Sequence, residues 1–166
     1  MGSFYGVNGR KLQRQYKDFL SDFKEWEQLK HAKHYLLFPQ NIGKQLSLDE
    51  TALSHGELYT ILTNKAAKGK KGAIVAIVAG TASEFVQKHF EKLPLRLRNK
   101  VEEITLDMAG SMNLIAKYCF PNAVLVTDRF HVQKLALEAV QELRIKHRWE
   151  AIDKENEAIE KAKKHK

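Results

Sequence analysis

The sequence predicts an α/β domain built on a mixed five-stranded sheet with helices on its faces. Three observations carry this expectation. Short apolar runs bounded by Gly, Pro and Asn alternate with longer stretches in which apolar residues recur at helical spacing. The run Ala73-Ile-Val-Ala-Ile-Val78 is wholly apolar, as a strand buried on both faces requires. The first three strand candidates are joined by short connections, and the later ones by segments long enough to hold a helix. The order therefore predicts an antiparallel meander of three strands followed by two parallel ones.

Taken in order, residues 11–35 place Leu12, Tyr16, Phe19, Leu20, Phe23, Trp26 and Leu29 at helical spacing, and Pro39, Asn41 and Gly43 end that segment. Residues 46–49 form a short strand. Ser54-His-Gly56 marks a turn before a strand over 58–63, and residues 64–71, with Gly69 and Gly72, make a basic hairpin loop ahead of the apolar strand 73–78. Gly80-Thr81 opens a helix carrying Phe85, Val86, Phe90 and Leu93, which stops at Pro94. A strand over 101–106 runs into Asp107. A helix over 108–120 turns Met112, Ile115 and Ala116 inward, and a strand over 123–127 runs into Asp128. From Phe130 a long helix carries Val132, Leu135, Ala136, Ala139, Val140 and Leu143 as its stripe, and beyond Trp149 Lys and Glu dominate. Three zones follow: an N-terminal helical segment over 1–43, a core over 44–143, and a charged helical tail over 144–166.

Composition narrows the class. A chain of 166 residues, 43% hydrophobic and 29% charged, is long enough for one buried core and excludes wholesale disorder. One Cys excludes an internal disulfide and a zinc ribbon, which points to a reducing, cytoplasmic setting. No apolar run approaches the length of a membrane span, so no membrane partner is expected. A net charge of +8 and a pI near 9.5 favour a polyanionic partner.

The acids give that partner a chemistry. If the strands ending in Asp49 and Asp107 are parallel neighbours, both carboxylates emerge at one sheet edge. There they repel unless a cation lies between them, and hard oxygen donors favour Mg²⁺ or Mn²⁺. Two such ions can serve phosphodiester chemistry. The competing use is capping, since Asp107 and Asp128 each precede a helix; Glu50 suits a surface ion pair. Lys65, Lys68, Lys70 and Lys71 in the hairpin loop, with Arg96, Arg98 and Lys100 further on, suit DNA contacts or plain solvated turns. Gly69-x-x-Gly72 lacks the ending of a phosphate-binding loop. His31 and His34 stand three apart, with no further ligand to complete a zinc site. Cys119 suits a small buried position.

Ser47-Leu-Asp-Glu50, Gly56-Glu-Leu-Tyr-Thr60, Ile104-Thr-Leu-Asp-Met108, Phe120-Pro-Asn-Ala123 and Asp128-Arg-Phe-His131 together resemble the DDE transposases of bacterial insertion sequences, in the ISL3-type group. The resemblance covers about residues 26–156. It implies a ribonuclease H-like fold and DNA as partner, both element ends and target. Self-association in the intact enzyme is implied too, as is a site of two Mg²⁺ or Mn²⁺ ions held by two Asp and one Glu. By position, Asp49 and Asp107 match the two catalytic, metal-binding Asp. Asp128 and His131 match a motif near the active site, with Arg129 between them as a further DNA-contact candidate. The family's third acid follows an inserted segment. The chain reaches Lys166 in what resembles the start of that insertion, and nothing before Lys11 resembles the family's N-terminal DNA-binding region. The expectation is therefore a truncated transposase core, with two of three ligands and little strand transfer of its own. Glu138, Glu142 and Glu150 on the last helix are not given the third role. The alternatives are a degenerate remnant that only binds DNA or protein, and a different ribonuclease H-like nuclease.

Overall fold

Alternating burial along the strands fixes the sheet. In the computed structural model, which describes residues 6, 8–52 and 56–164, six strands form one mixed sheet. They are β1 (Tyr35–Leu37), β2 (Gln45–Ala52), β3 (Leu58–Asn64), β4 (Ile74–Ala79), β5 (Glu103–Leu106) and β6 (Val124–Thr127). Their spatial order is β1-β4-β3-β2-β5-β6. The first four are joined antiparallel; β2 pairs with β5, and β5 with β6, in parallel. The α/β class and mixed sheet agree with the sequence, but there are six strands rather than five. The expected turn at Ser54 and His55 lies outside the described residues.

The additional strand explains the difference. The helical spacing over 11–35 does not produce one helix. It yields α1 (Gly9–Gln15), a π-type turn (Tyr16–Leu20), an extended Ser21, and two 3₁₀ turns (Asp22–Lys24 and Glu27–Lys30). The stripe finds no core to cover, and Phe19 is 81% exposed. Packing, more than local propensity, sustains most helices. Tyr35–Leu37 instead adds to the edge of β4, so that the apolar run of β4 becomes an interior strand. Gln28 closes the far edge of β1: its side-chain amide donates to the Leu37 carbonyl at 2.8 Å and accepts the Leu37 N–H at 2.7 Å, much as a neighbouring strand would.

Two helices cover one face. α2 (Ser83–Phe90) and α4 (Gly110–Cys119) pack on the buried side chains of the sheet, with the short α3 (Leu95–Arg98) between them in sequence. Leu46, Leu48, Leu62, Val78, Ile104 and Leu106 enter this core with Met112 and Ile115, and Phe90 meets Phe120 edge-on at 6.3 Å. The opposite face is open in part, with Val124 66% exposed on β6. α5 (Arg129–Lys164) runs on for 36 residues with none buried. Among the described residues no helix is long and apolar enough to cross a membrane.

The β3–β4 hairpin is held by asparagines. Asn64 accepts the Ala66 N–H at 3.0 Å and donates to the Asn41 carbonyl at 2.9 Å, and Lys68 adopts the left-handed conformation (φ 48°). Gly43 lets Asn64 approach: a Cβ there would sit 2.6 Å from Asn64 Oδ1. Gly43→Ala is therefore expected to displace Asn64 and to cost about 1–2 kcal/mol in urea unfolding. An unchanged midpoint would show that the hairpin does not depend on this contact.

Candidate functional site

The register of the parallel strands brings three acids to one level of the sheet. Asp49 lies within β2, paired with Ile61 of β3, and not at the end of its strand as the sequence predicted. Leu48 lies beside Leu106, and Leu106 beside Thr127. The next residues along β2, β5 and β6 are Asp49, Asp107 and Asp128, so the three share one edge of the sheet. Neighbouring strands are about 4.8 Å apart. In β2 and β5 the even-numbered Leu46, Leu48, Ile104 and Leu106 are buried, while Ser47, Asp49, Glu103, Thr105 and Asp107 retain exposure. Alternation thus puts Asp49 and Asp107 on the open face.

Each Asp also serves its own backbone. Asp49 Oδ1 accepts the Glu50 N–H at 2.8 Å, Asp107 Oδ1 the Ala109 N–H at 2.8 Å, and Asp128 Oδ1 the Phe130 N–H at 2.9 Å. Asp128 caps α5, and Asp107 steers the chain into α4. Capping and edge placement are compatible, because a carboxylate has a second oxygen left over.

Glu50 is not the surface ion-pair residue that the sequence suggested. Among the described residues it makes no salt bridge. Partial burial, then the charges of Asp107 and Asp49, hold its carboxyl above the usual range. A small cleft of about 190 Å³ opens beside Asp107, lined by His131, Lys134 and Glu138 of α5. His131 therefore faces the acid edge. Lys134 and Glu138, which sequence reasoning left without a role, share that cleft and pair at 3.8 Å. Their signal was the spacing of one and two helical turns from His131. Among the described residues no three His, Cys, Asp or Glu side chains gather closely enough to hold a metal ion.

The basic candidates are distributed differently. Arg98 is buried: its Nε donates to the Leu93 carbonyl at 3.1 Å and a terminal nitrogen to the Cys119 carbonyl at 2.7 Å. This guanidinium satisfies a carbonyl at the end of α4, so Arg98 is withdrawn from any DNA-facing role. Lys65 is tied to Glu103 at 2.9 Å and to Thr105 at 2.8 Å, and its hydrogen bond holds the Glu103 carboxyl below the usual range. Lys68, Lys70, Lys71 and Arg96 are exposed. The hairpin bearing these lysines follows Asn64, which pairs with Leu46 at the amino end of β2, and Lys65 reaches Glu103 at the amino end of β5. From there to Asp107 is about 13 Å at strand rise. Arg129 is exposed beside Asp128, on the acid edge itself. His31 and His34 lie in turns, with His31 stacked on Tyr35 at 4.1 Å. Cys119 is buried, which pushes its thiol up to about 12.

Comparison with known proteins adds one match. A protein-family model described as Transposase aligns with residues 46–166, from the start of β2 to the end of the chain. No curated protein matches the chain at a significant level.

Two measurements probe this geometry. Arg98→Ala, which orphans two buried carbonyls, is expected to lower stability by about 2–3 kcal/mol, against less than about 0.5 kcal/mol for Arg96→Ala. Equal effects would contradict the buried-clamp assignment. For Glu50, the raised folded value means that ionisation opposes folding, so its contribution to stability is lost as pH rises through that value. Glu50→Gln should raise the melting temperature at pH 7 by up to about 2 °C. Near about pH 3.5, below the unfolded carboxylate range, it should give no gain. A gain that persists in acid would refute the repulsion.

Proposed function

Because the chain belongs to the ISL3-type DDE transposases, we propose that residues 44–143 are a ribonuclease H-like catalytic core for cleavage and strand transfer of DNA. Asp49 and Asp107 are the metal-binding catalytic pair in this reading. The observation that supports it is the β2–β5 register, which sets these two carboxylates on adjacent parallel strands at one edge and on the open face.

The donor set suits Mg²⁺ or Mn²⁺. The carboxylates are hard oxygen donors on rigid strands, and their charges, after partial burial, help hold the neighbouring Glu50 above the usual range. A divalent ion bound there supplies Lewis-acid polarisation of a phosphodiester. The residues of the chain do the rest. Asp49 and Asp107 fix the position of the bound charge relative to the sheet. Asp128 holds the first turn of α5, and through it keeps His131 and Lys134 beside Asp107. Arg129 meets a backbone phosphate at the acid edge, while Lys68, Lys70, Lys71 and Arg96 neutralise phosphates further along the strand.

Two carboxylates are fewer than the three of the family's site, and among the described residues no three acids gather closely enough to hold an ion together. This polypeptide is therefore expected to bind the ion weakly and to perform little strand transfer alone. The same observation favours, as a second reading, a chain that only binds DNA or protein.

The test is thermal unfolding of the chain with Mg²⁺ or Mn²⁺. At an ion concentration of about 100 times the dissociation constant, stability should rise by about 2.7 kcal/mol. Asp49→Asn and Asp107→Asn should each abolish the rise, and Arg96→Ala should leave it intact. A wild-type chain that gains nothing, or a gain that both Asp variants retain, overturns the metal assignment. Robust Mg²⁺-dependent DNA cleavage by this chain, abolished by Asp49→Ala, would instead show the site to be complete.

A further inference from the structure

The second half of α5 carries a pattern that the acid edge does not use. Ile145, Trp149, Ile152, Asn156 and Ile159 follow one another at steps of four and three, the spacing of a coiled-coil seam. Trp149 is 60% exposed, and Ile145 and Ile159 are nearly half exposed. Four charges flank this seam. Lys146 and Asp153 stand on one side of it, and Arg148 and Glu155 on the other. The bases lie in the first half and the acids in the second. Among the described residues none of the four forms an ion pair within the chain.

We propose that this face is a self-association surface, on which α5 pairs antiparallel with α5 of a second copy about an axis between Glu150 and Ala151. In that alignment Trp149 of each copy packs on Ile152 of the other. Lys146 faces Asp153 and Arg148 faces Glu155 across the seam, and the two-fold axis repeats both, so all flanking contacts attract. A parallel, in-register pair does worse. It sets Glu155 against Glu160, brings Glu142 of the two copies together, and stacks Ile at positions that disfavour two-stranded pairing. The pattern is complementary to itself, which identifies the occupant as a second copy rather than an unrelated helix. The self-matching seam spans residues 145–156, about 17 Å of helix, with Ile145 of each copy against Asn156 of the other. Ile159 falls opposite Glu142 and adds nothing. Fewer than two heptads of contact make a weak, reversible dimer. The inference is independent of the metal site, which is read out separately by Asp49→Asn.

Sedimentation velocity of the full chain over a range of concentrations tests it. A monomer–dimer equilibrium is expected, and in a Trp26→Phe background the emission of Trp149 should shift to the blue as dimer forms. The double variants K146E/R148E and D153K/E155K should each weaken self-association by about tenfold or more. Mixing the two should restore it, which also shows that both variants remain folded. Oxidising a mixture of R148C and E155C chains should join one to the other, since those positions meet only in the antiparallel arrangement. A chain that stays monomeric at every concentration, or a dimer indifferent to both charge reversals, overturns the proposal. Failure of the R148C–E155C cross-link overturns the antiparallel orientation.

Discussion

The parallel pairing of β2 with β5 rests on the burial of Leu46, Leu48, Ile104 and Leu106 on one face of the sheet. Each of these side chains contributes roughly 1.5–3 kcal/mol by leaving water. A slip of one residue on either strand would turn that set outward and drive Asp49 or Asp107 toward the apolar core, where an unpaired carboxylate is costly. The acids are therefore placed by the hydrophobic pattern, and no direct attraction between them is required. β6 extends the same logic. Ile104 lies beside Leu125, and the step past Thr127 brings Asp128 to the same edge.

Holding several carboxylates at one edge needs compensation. Part of it comes from the backbone N–H groups of Glu50, Ala109 and Phe130, each donated to the Asp just before it. Part comes from the amino ends of α4 and α5, which begin close behind Asp107 and Asp128 and carry positive partial charge. Among the described residues Glu50 has neither kind of support, and partial burial together with the charges of Asp107 and Asp49 raises its carboxyl. Positive side chains lie mostly at the other end of the strands, where Lys65 bridges to Glu103 and Lys68, Lys70 and Lys71 extend into water. Charge is thus graded along β2 and β5, acidic at the carboxyl ends and basic at the amino ends. A polyanion laid along the open face would be anchored at the basic end and reach the acids only with a cation between.

The mixed sheet and the parallel pairing of the strands that carry Asp49 and lead into Asp107 were legible because they depend on patterns with a fixed period and on connection lengths. β1 was not. Three residues, Tyr35 to Leu37, are too few to show a period of two, and they sit within a run whose aromatic spacing imitates a helix. The role of Arg98 was equally hidden, since a basic residue in a turn reads as solvated until the carbonyls of Leu93 and Cys119 are found beside it. Glu50 was misjudged for a related reason. Its neighbours in space come from β5, and only the fold reveals that they share its sign. The cleft that unites Asp107 with His131, Lys134 and Glu138 depends on the direction in which α5 leaves the sheet, which no spacing in the sequence specifies.

That direction gives α5 its mechanical character. With no residue buried, the helix is sustained by its Ala, Glu, Lys and Leu content and by local pairs such as Lys134 with Glu138 and His147 with Glu150. It is a lever rather than part of the core. Its 36 residues extend about 54 Å at 1.5 Å per residue. An antiparallel pair centred between Glu150 and Ala151 would separate the two Asp128 positions by about 65–70 Å along the shared axis. That is about twenty steps of duplex DNA at 3.4 Å each. Pairing through the tail would therefore leave both acid edges uncovered. It would also set the two sheets at a spacing that one continuous duplex, or two separate ends, could bridge. The low burial of α5 and the openness of the acid edge then have one cause, because a helix folded back onto the sheet would cover the face on which Asp49 and Asp107 stand.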